Sequence, residues 1–143
     1  MTVPEMLGPK MIGLDTNVLV RYIAQDDPLQ SPLATQIVEH RLTEEHPGFI
    51  SLVTMTETVW VLDRSYGLST AEIAATIERI LQIDTLVVQN EQEVFTAMAA
   101  LKTGAGSFSD ALTGALGTQA GCAVTLTFDK KATRLHSFQL VSE

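Results

Sequence analysis

The stretch MIGLDTNVLVRY, residues 11–22, decides the fold, because it joins an apolar run, an acid and a second apolar run. Met11–Leu14 is mostly apolar and predicts a short buried strand. Asp15 follows directly, and the residues over Asn17–Ile23 predict a short helix. A carboxylate without a basic neighbour in sequence therefore stands where a buried strand ends, and its negative charge needs a partner.

Strands and helices alternate along the rest of the chain, which is typical of an α/β fold with a parallel sheet covered on both faces. Further strands are predicted over Phe49–Val53, Thr85–Val88, Ala123–Thr127 and Phe138–Val141. Helices are predicted from Pro28 to about Glu45, over Thr54–Tyr66, after Ser69, over Glu91–Lys102 and Ser107–Gln119, with a short helical turn at Lys130–Leu135.

Local signals define the ends of several helices. Ser69 and Glu72 form a capping box at the start of one helix. Asn90 is placed to cap the helix that begins at Glu91, and Gly121 suits the end of another helix. These boundaries agree with the alternating pattern of strands and helices.

Length and composition indicate one globular domain. The chain has 143 residues, of which 45% are hydrophobic, and we expect a loose leader over residues 1–10 and a single domain over residues 11–143.

Cys122 is the only cysteine, which excludes an intrachain disulfide. No apolar run approaches the length of a membrane span, so we expect a cytoplasmic protein without a membrane partner. The net charge of -8 argues against general binding to phosphate backbones and suits a basic protein partner.

Three acids follow predicted strands, and a fourth acid lies in the first turn of a predicted helix. Asp15 and Asp129 each follow a strand directly, Glu57 lies in the first turn after the second strand, and Asp110 lies in the first turn of its helix. In open parallel sheets, ligands bind beyond the carboxyl ends of the strands. The four acids are therefore candidates for one site.

A purely structural role for each acid is the main alternative. Asp and Glu are favoured near helix N-termini, where they cap backbone N–H groups. Thr54–Glu57 and Ser107–Asp110 both fit the capping-box pattern, and Asp15 and Asp129 could be simple N-caps.

The helix that carries Asp110 favours a site. Gly114 and Gly117 follow Asp110 one and two turns later on a face away from the predicted apolar stripe. Glycine within a helix costs roughly 1 kcal/mol relative to alanine. Close approach of something to that face would explain this cost.

Four convergent carboxylates need protons or cations to relieve their repulsion. No Lys or Arg lies within three residues of Asp15, Glu57 or Asp110. Oxygen ligands suit Mg²⁺ or Mn²⁺, and such a cation can activate water for phosphodiester hydrolysis.

Four motifs of the chain resemble the PIN domain, most closely the toxins of VapC type. They are GLDTNVLVRYIAQDD, TETVWVLDRSYGLS, FSDALTGALGTQAGC and TLTFDKKATRL. The resemblance runs from Met11 to the C-terminus. It implies a single-domain three-layer α/β/α sandwich around a five-stranded parallel sheet in the order 3-2-1-4-5. It also implies a ribonuclease that depends on Mg²⁺ or Mn²⁺.

The resemblance also assigns residues. Four residues match the catalytic and metal-binding acids of the family: Asp15, Glu57, Asp110 and Asp129. The family usually has a bulkier apolar residue where Thr113 and Gly114 stand. Thr16, Asn17 and Thr127 match supporting positions, whereas Lys130, Lys131 and Arg134 are a solvated helix face or contacts to phosphate.

The partners implied by the resemblance are an RNA substrate, a second copy of the chain and a cognate antitoxin. The antitoxin's C-terminal segment would block the acids with an arginine. Its expected groove lies along the exposed apolar positions of the helices over Asn17–Ile23 and Thr54–Tyr66. Trp60 is interpreted as a core or dimer-interface residue. The alternatives are a housekeeping RNA-processing nuclease without an antitoxin and a catalytically silent binding module.

Overall fold

The computed structural model describes residues 10–142, so all but the last residue of the predicted leader lies outside the described part. The chain divides into two compact units. The first comprises residues up to Thr58 together with Gln82–Gln89, and the second comprises Val59–Leu81 and the residues from Asn90 onward.

The first unit is built on three short parallel strands: β1 (Ile12–Gly13), β2 (Gly48–Ile50) and β3 (Leu86–Val88). Their order is β1-β2-β3, with Gly13 opposite Phe49 and Phe49 opposite Val87. Ile50 is fully buried in this sheet. The predicted partial order 3-2-1 is therefore confirmed.

Two helices follow β1. Helix α1 (Thr16–Ala24) confirms the prediction and buries Leu19 and Val20. Helix α2 (Gln30–Gln36) packs against α1 and continues as a π-helical segment, Ile37–Arg41.

The second helix starts at Gln30, two residues later than predicted, and Asp27 holds the turn that precedes it. The Asp27 carboxylate accepts the backbone N–H groups of Leu29 (2.9 Å) and Gln30 (2.7 Å). These bonds favour the charged form and hold the pKa of Asp27 below its usual value. Pro28 lies in this turn and precedes the first helical residue, Gln30.

The second unit contains most of the remaining helices. Helix α3 (Leu52–Arg64) runs from the first unit into the second, and α4 (Thr70–Leu81), α5 (Glu91–Thr103) and α6 (Phe108–Gln119) follow. Helix α5 packs against both α4 and α6. The buried side chains that hold these helices together include Ile73, Ile77, Val94, Met98, Phe108 and Leu112.

Helix ends confirm some of the predicted caps and correct others. Ser69 and Glu72 form the predicted capping box, with reciprocal bonds of 2.9 and 3.1 Å. Asn90 occupies the N-cap position of α5 as predicted, but its side chain makes no capping bond, because it donates to Glu93 instead. Gly121 has φ 102°, a left-handed conformation that suits glycine beyond a helix end.

Two parallel strands complete the second unit. Strands β4 (Thr125–Thr127) and β5 (Phe138–Leu140) pair with Leu126 opposite Gln139, and a 3-10 turn, Lys130–Arg134, lies between them in sequence. Alternating helices and parallel strands confirm an α/β fold. The predicted five-stranded sheet is not confirmed, because the strands of residues 10–142 pair as one sheet of three and one of two.

Candidate functional site

Asp15 lies at the end of β1 and caps α1. Its Oδ1 accepts the backbone N–H of Thr16 at 2.8 Å, and its carbonyl accepts the N–H of Val18 at 3.1 Å. The preceding residue, Leu14, is fixed by a bond from its N–H to Phe49. Thr16 is buried, whereas Asp15 and Asn17 are exposed. The predicted cap is confirmed, and a cap of this kind still leaves the second carboxylate oxygen to face solvent.

Glu57 is exposed on α3 and does not cap it. The helix begins at Leu52, and the Ser51 hydroxyl accepts the N–H of Thr54 at 3.1 Å. The capping-box interpretation of Thr54–Glu57 is therefore wrong, because Ser51 provides an earlier cap directly after β2. Beside Glu57, the hydroxyl of Thr58 is buried and has no partner within residues 10–142, which leaves a polar atom for water or a ligand.

Asp110 lies in the first turn of α6, where its N–H donates to the Ser107 side chain at 3.1 Å. This half of the predicted capping box is confirmed. Asp110 is half-buried, and Gly114 follows it one helical turn later. A Cβ added to Gly114 would collide with the Ser137 hydroxyl and would lie 2.9 Å from the ring of Phe138.

Gly117 continues the same face of α6. A Cβ at this position would lie 2.8 Å from the Thr125 hydroxyl of β4. The predicted close approach to the glycine face is therefore confirmed, and the approaching residues belong to β4, β5 and the residue before β5. The predicted apolar stripe of this helix comprises Phe108, Leu112, Ala115, Leu116 and Gln119. It is only partly correct, because Phe108 and Leu112 are buried, Ala115 and Leu116 are half-buried and Gln119 is exposed.

Asp129 is held in a hydrogen-bonded turn after β4. Its N–H donates to the Thr127 hydroxyl at 3.0 Å, and its Oδ1 accepts the N–H of Lys131 at 2.9 Å. Asp129 is thus the N-cap of the 3-10 turn, and Thr127 supports it directly. Lys130, Lys131 and Arg134 are all exposed on this turn.

The four acids divide equally between the two units, with Asp15 and Glu57 in the first and Asp110 and Asp129 in the second. Among residues 10–142, no group of three or more His, Cys, Asp or Glu side chains is arranged to hold a metal ion. The convergence of the four acids therefore stays a prediction.

The chemistry of the four side chains does fit a hard divalent cation. All of them offer carboxylate oxygens, the ligands that Mg²⁺ and Mn²⁺ prefer. The ion pairs of the described residues, Arg21 with Asp26 and Arg64 with Asp63, involve none of the four acids. Within that part of the chain, none of the four acids is therefore at ion-pair distance from a lysine or an arginine.

Trp60 differs from its predicted environment. Its side chain is 57% exposed, so the interpretation as a core residue is wrong. The Arg64 guanidinium lies 5.9 Å from the centroid of the indole ring, within the range of a cation–π contact. Its interpretation as a dimer-interface residue stays a prediction.

Residues of α1, α2 and the start of the π-helical segment line a groove in the first unit. It has a volume of about 230 Å³, and Leu33 in its lining is 64% exposed. The lining mixes apolar side chains with a few polar ones: Asn17, Val18, Arg21, Gln30, Leu33, Ala34 and Ile37. The antitoxin groove predicted along α1 and α3 stays a prediction, because this groove is lined by α1 and α2.

Helix length and hydropathy bear on membrane association. In the described part of the chain, every helix is too short or too polar to cross a bilayer.

Comparisons with known proteins agree with the site's sequence motifs. The sequence profile described as "PIN domain" matches residues 12–136, which is most of the chain. Searches against curated proteins and against solved structures found no significant match. The profile match spans the segments that carry Asp15, Glu57, Asp110 and Asp129 and includes every described strand except β5. On this evidence the chain is a member of the PIN domain family, whose fold is of nuclease type.

Proposed function

We propose that the protein is a metal-dependent endoribonuclease that hydrolyses phosphodiester bonds in RNA in the cytoplasm. The observation that carries this proposal is the family match over residues 12–136, which includes all four candidate acids. Their all-oxygen chemistry and the absence of ion pairs to them within the described residues support the same conclusion.

In this proposal Asp15, Glu57, Asp110 and Asp129 hold Mg²⁺ or Mn²⁺. The bound cation supplies charge neutralisation and a more acidic water. The chain's own contribution is to hold its carboxylates at the starts of helical elements, as the N–H bonds of Asp15 and Asp129 do. The N–H of Asp129, which donates to Thr127, fixes the backbone beneath that acid.

The supporting residues position the substrate and the acids. Lys130, Lys131 and Arg134 contact RNA phosphates and carry no sequence information of their own. Thr16 is buried at the start of α1 and anchors the helix. Asn17, two residues after Asp15, is exposed and faces the substrate.

Cleavage of RNA by the purified chain should therefore require Mg²⁺ or Mn²⁺ and stop when EDTA is added in excess. The physical reason is that oxygen-only sites favour hard divalent cations. The measurement is gel analysis of a labelled RNA, with cleavage restored when Mg²⁺ is supplied beyond the chelator. Undiminished cleavage in EDTA would rule out the metal-dependent mechanism, and no cleavage under any metal would favour the silent binding module.

The biological role we propose is that of a toxin held inactive by a cognate antitoxin, with the active protein a homodimer. A net charge of -8 favours a basic partner, and the groove between α1 and α2 offers an apolar floor with polar edges. Val53 on α3 is 78% exposed and provides a further apolar contact. An antitoxin arginine would bridge two carboxylates and exclude the cation.

Co-expression with the product of the adjacent upstream gene tests this role. We expect a stable complex without ribonuclease activity, in which replacing one antitoxin arginine with alanine restores cleavage. Replacing Leu33 with Asp should weaken the complex, because it places a charge at the edge of the apolar groove. An active chain that binds no partner and does not slow growth of the host would instead identify a housekeeping nuclease.

A further inference from the structure

Phe128 is the most exposed large hydrophobic side chain among residues 10–142, at 86%. It lies directly after β4, two residues from Leu126, which is 63% exposed. The residue between them, Thr127, is half-buried. The turn that follows β4 therefore presents an aromatic ring to solvent.

The backbone around Phe128 is held by hydrogen bonds. On one side, Thr127 accepts the N–H of Val141 through its carbonyl at 2.8 Å and the N–H of Asp129 through its hydroxyl at 3.0 Å. On the other side, Asp129 accepts the N–H groups of Lys131 and Ala132. The exposed ring thus projects from an ordered turn, which lowers the entropy lost when a ligand contacts it.

The same turn carries a cluster of positive charge. Lys130, Lys131 and Arg134 are exposed, and within the described residues none of them forms an ion pair. These three residues are one third of the nine lysines and arginines of a chain with a net charge of -8. A cationic cluster beside an exposed aromatic ring is the combination that binds single-stranded nucleic acid, with cations on phosphates and the ring under a base.

We infer that Phe128 is a base-stacking residue for single-stranded RNA, which Lys130, Lys131 and Arg134 hold by its phosphates. This inference rests on the proposed ribonuclease function and adds a subsite for one nucleotide. Phe128 is a substrate-binding residue in it, and its stacking tolerates any base because every base has a π-face. The subsite would therefore set affinity and the register of the strand without reading its sequence.

A second copy of the chain is a poorer occupant of this surface. The large apolar side chains exposed on and next to this turn are Val124, Leu126, Phe128 and Val141, whereas stable interfaces bury roughly 800 Å² and 20–30 residues on each partner. The cations around it favour a polyanion with closely spaced charges, and RNA carries a phosphate at every nucleotide.

The test is binding of a fluorescent single-stranded RNA of about 12 nucleotides, a length that covers one such site. The protein is the full chain carrying Asp15→Asn, so that the RNA is not cut. Phe128→Ala should weaken binding by about 5- to 150-fold, the loss typical of one stacked base. Phe95→Ala is the matched control, because Phe95 is also exposed, at 53%, and lies on α5 outside the turn.

Two further measurements separate stacking from other roles of the ring. A series of RNAs is made in which each member lacks the base at one position. For the member that lacks the stacked base, the Phe128→Ala protein should bind it as tightly as it binds the intact RNA. The Lys130→Ala/Lys131→Ala double variant should reduce the slope of log Kd against log salt by about 1.4, whereas Lys102→Ala should not change it. Thermal melts should coincide for all variants, since each replaced side chain is exposed.

The outcomes distinguish this inference from the function on which it rests. If the wild-type chain cuts RNA but Phe128→Ala binds RNA as tightly as the control, the stacking role is overturned and the ribonuclease stands. If Phe128→Ala alters the sedimentation of the protein and not its affinity for RNA, the ring is a protein contact and the inference is wrong. A chain that neither binds nor cuts RNA overturns both proposals.

Discussion

Asp15→Asn and Asp110→Asn are each expected to lower the rate of RNA cleavage by about a thousandfold or more. A bound cation contributes several kcal/mol to the stabilisation of the transition state, and each 1.36 kcal/mol corresponds to a factor of ten in rate. Asparagine removes the charge that holds the cation. It keeps the shape of the side chain and, at position 15, an oxygen that can still accept the N–H of Thr16.

The two Asn substitutions distinguish a metal-binding role of these acids from a helix-capping role. If Asp15 served only as an N-cap, Asn would replace it at almost no cost, because both residues cap well. Among residues 10–142 the Asp110 carboxylate caps no backbone N–H, and Asp110 instead donates its own N–H to the Ser107 side chain. A structural role for its charge is therefore harder to sustain than for Asp15.

Single-turnover cleavage with excess enzyme measures the effect, and circular dichroism and thermal melts verify that the fold is intact. Asp84→Asn is the matched control, since Asp84 is exposed and lies outside the four acids. The Asp84→Asn protein also loses one negative charge and should cleave RNA at the wild-type rate. Wild-type rates in both Asp15→Asn and Asp110→Asn would show that the assignment of these acids is wrong.

Gly114→Leu is expected to destabilise the protein by about 3 kcal/mol, and Gly114→Ala by about 1–2 kcal/mol. The added Cβ would overlap the Ser137 hydroxyl and lie 2.9 Å from the Phe138 ring. The better helix propensity of alanine offsets roughly 1 kcal/mol of this cost, so Gly114→Ala should have the smaller effect. Leucine adds more atoms to a position that is already buried.

Urea unfolding followed by circular dichroism gives the free energies of these variants. Thr113→Ala is the control, because Thr113 is exposed on the same helix and the change alters helix propensity without entering the contact. Ser137→Ala in the Gly114→Ala background should recover part of the loss, since it removes the hydroxyl that collides. An equally stable Gly114→Leu protein would mean that β5 does not approach α6 as closely as described.

Local sequence patterns predict the helices of this chain better than its sheets. The capping box of Ser69 and Glu72 and the left-handed Gly121 are encoded within a few residues, and both are found as predicted. The start of α3 was predicted at Thr54, but the helix begins at Leu52. The strand before it ends at Ile50, earlier than predicted, so Ser51 provides the cap.

Strand pairing and the candidate site depend on contacts between distant parts of the chain. Strands of two or three residues carry little apolar periodicity, so the sequence indicates their existence but not which of them pair. The partial orders 3-2-1 and 4-5 are observed, whereas a link between β1 and β4 is not found among residues 10–142. The types and local positions of the four acids could thus be predicted, and their convergence could not.

The bonds that Asp15 and Asp129 make to backbone N–H groups have a consequence for ligand binding. A free carboxylate side chain loses rotamer entropy when a ligand immobilises it. In Asp15 and Asp129 one oxygen is already engaged, so much of that ordering occurs when the chain folds. A ligand that reaches the other oxygen therefore meets a preorganised side chain, and the ordering is a cost of folding rather than of affinity.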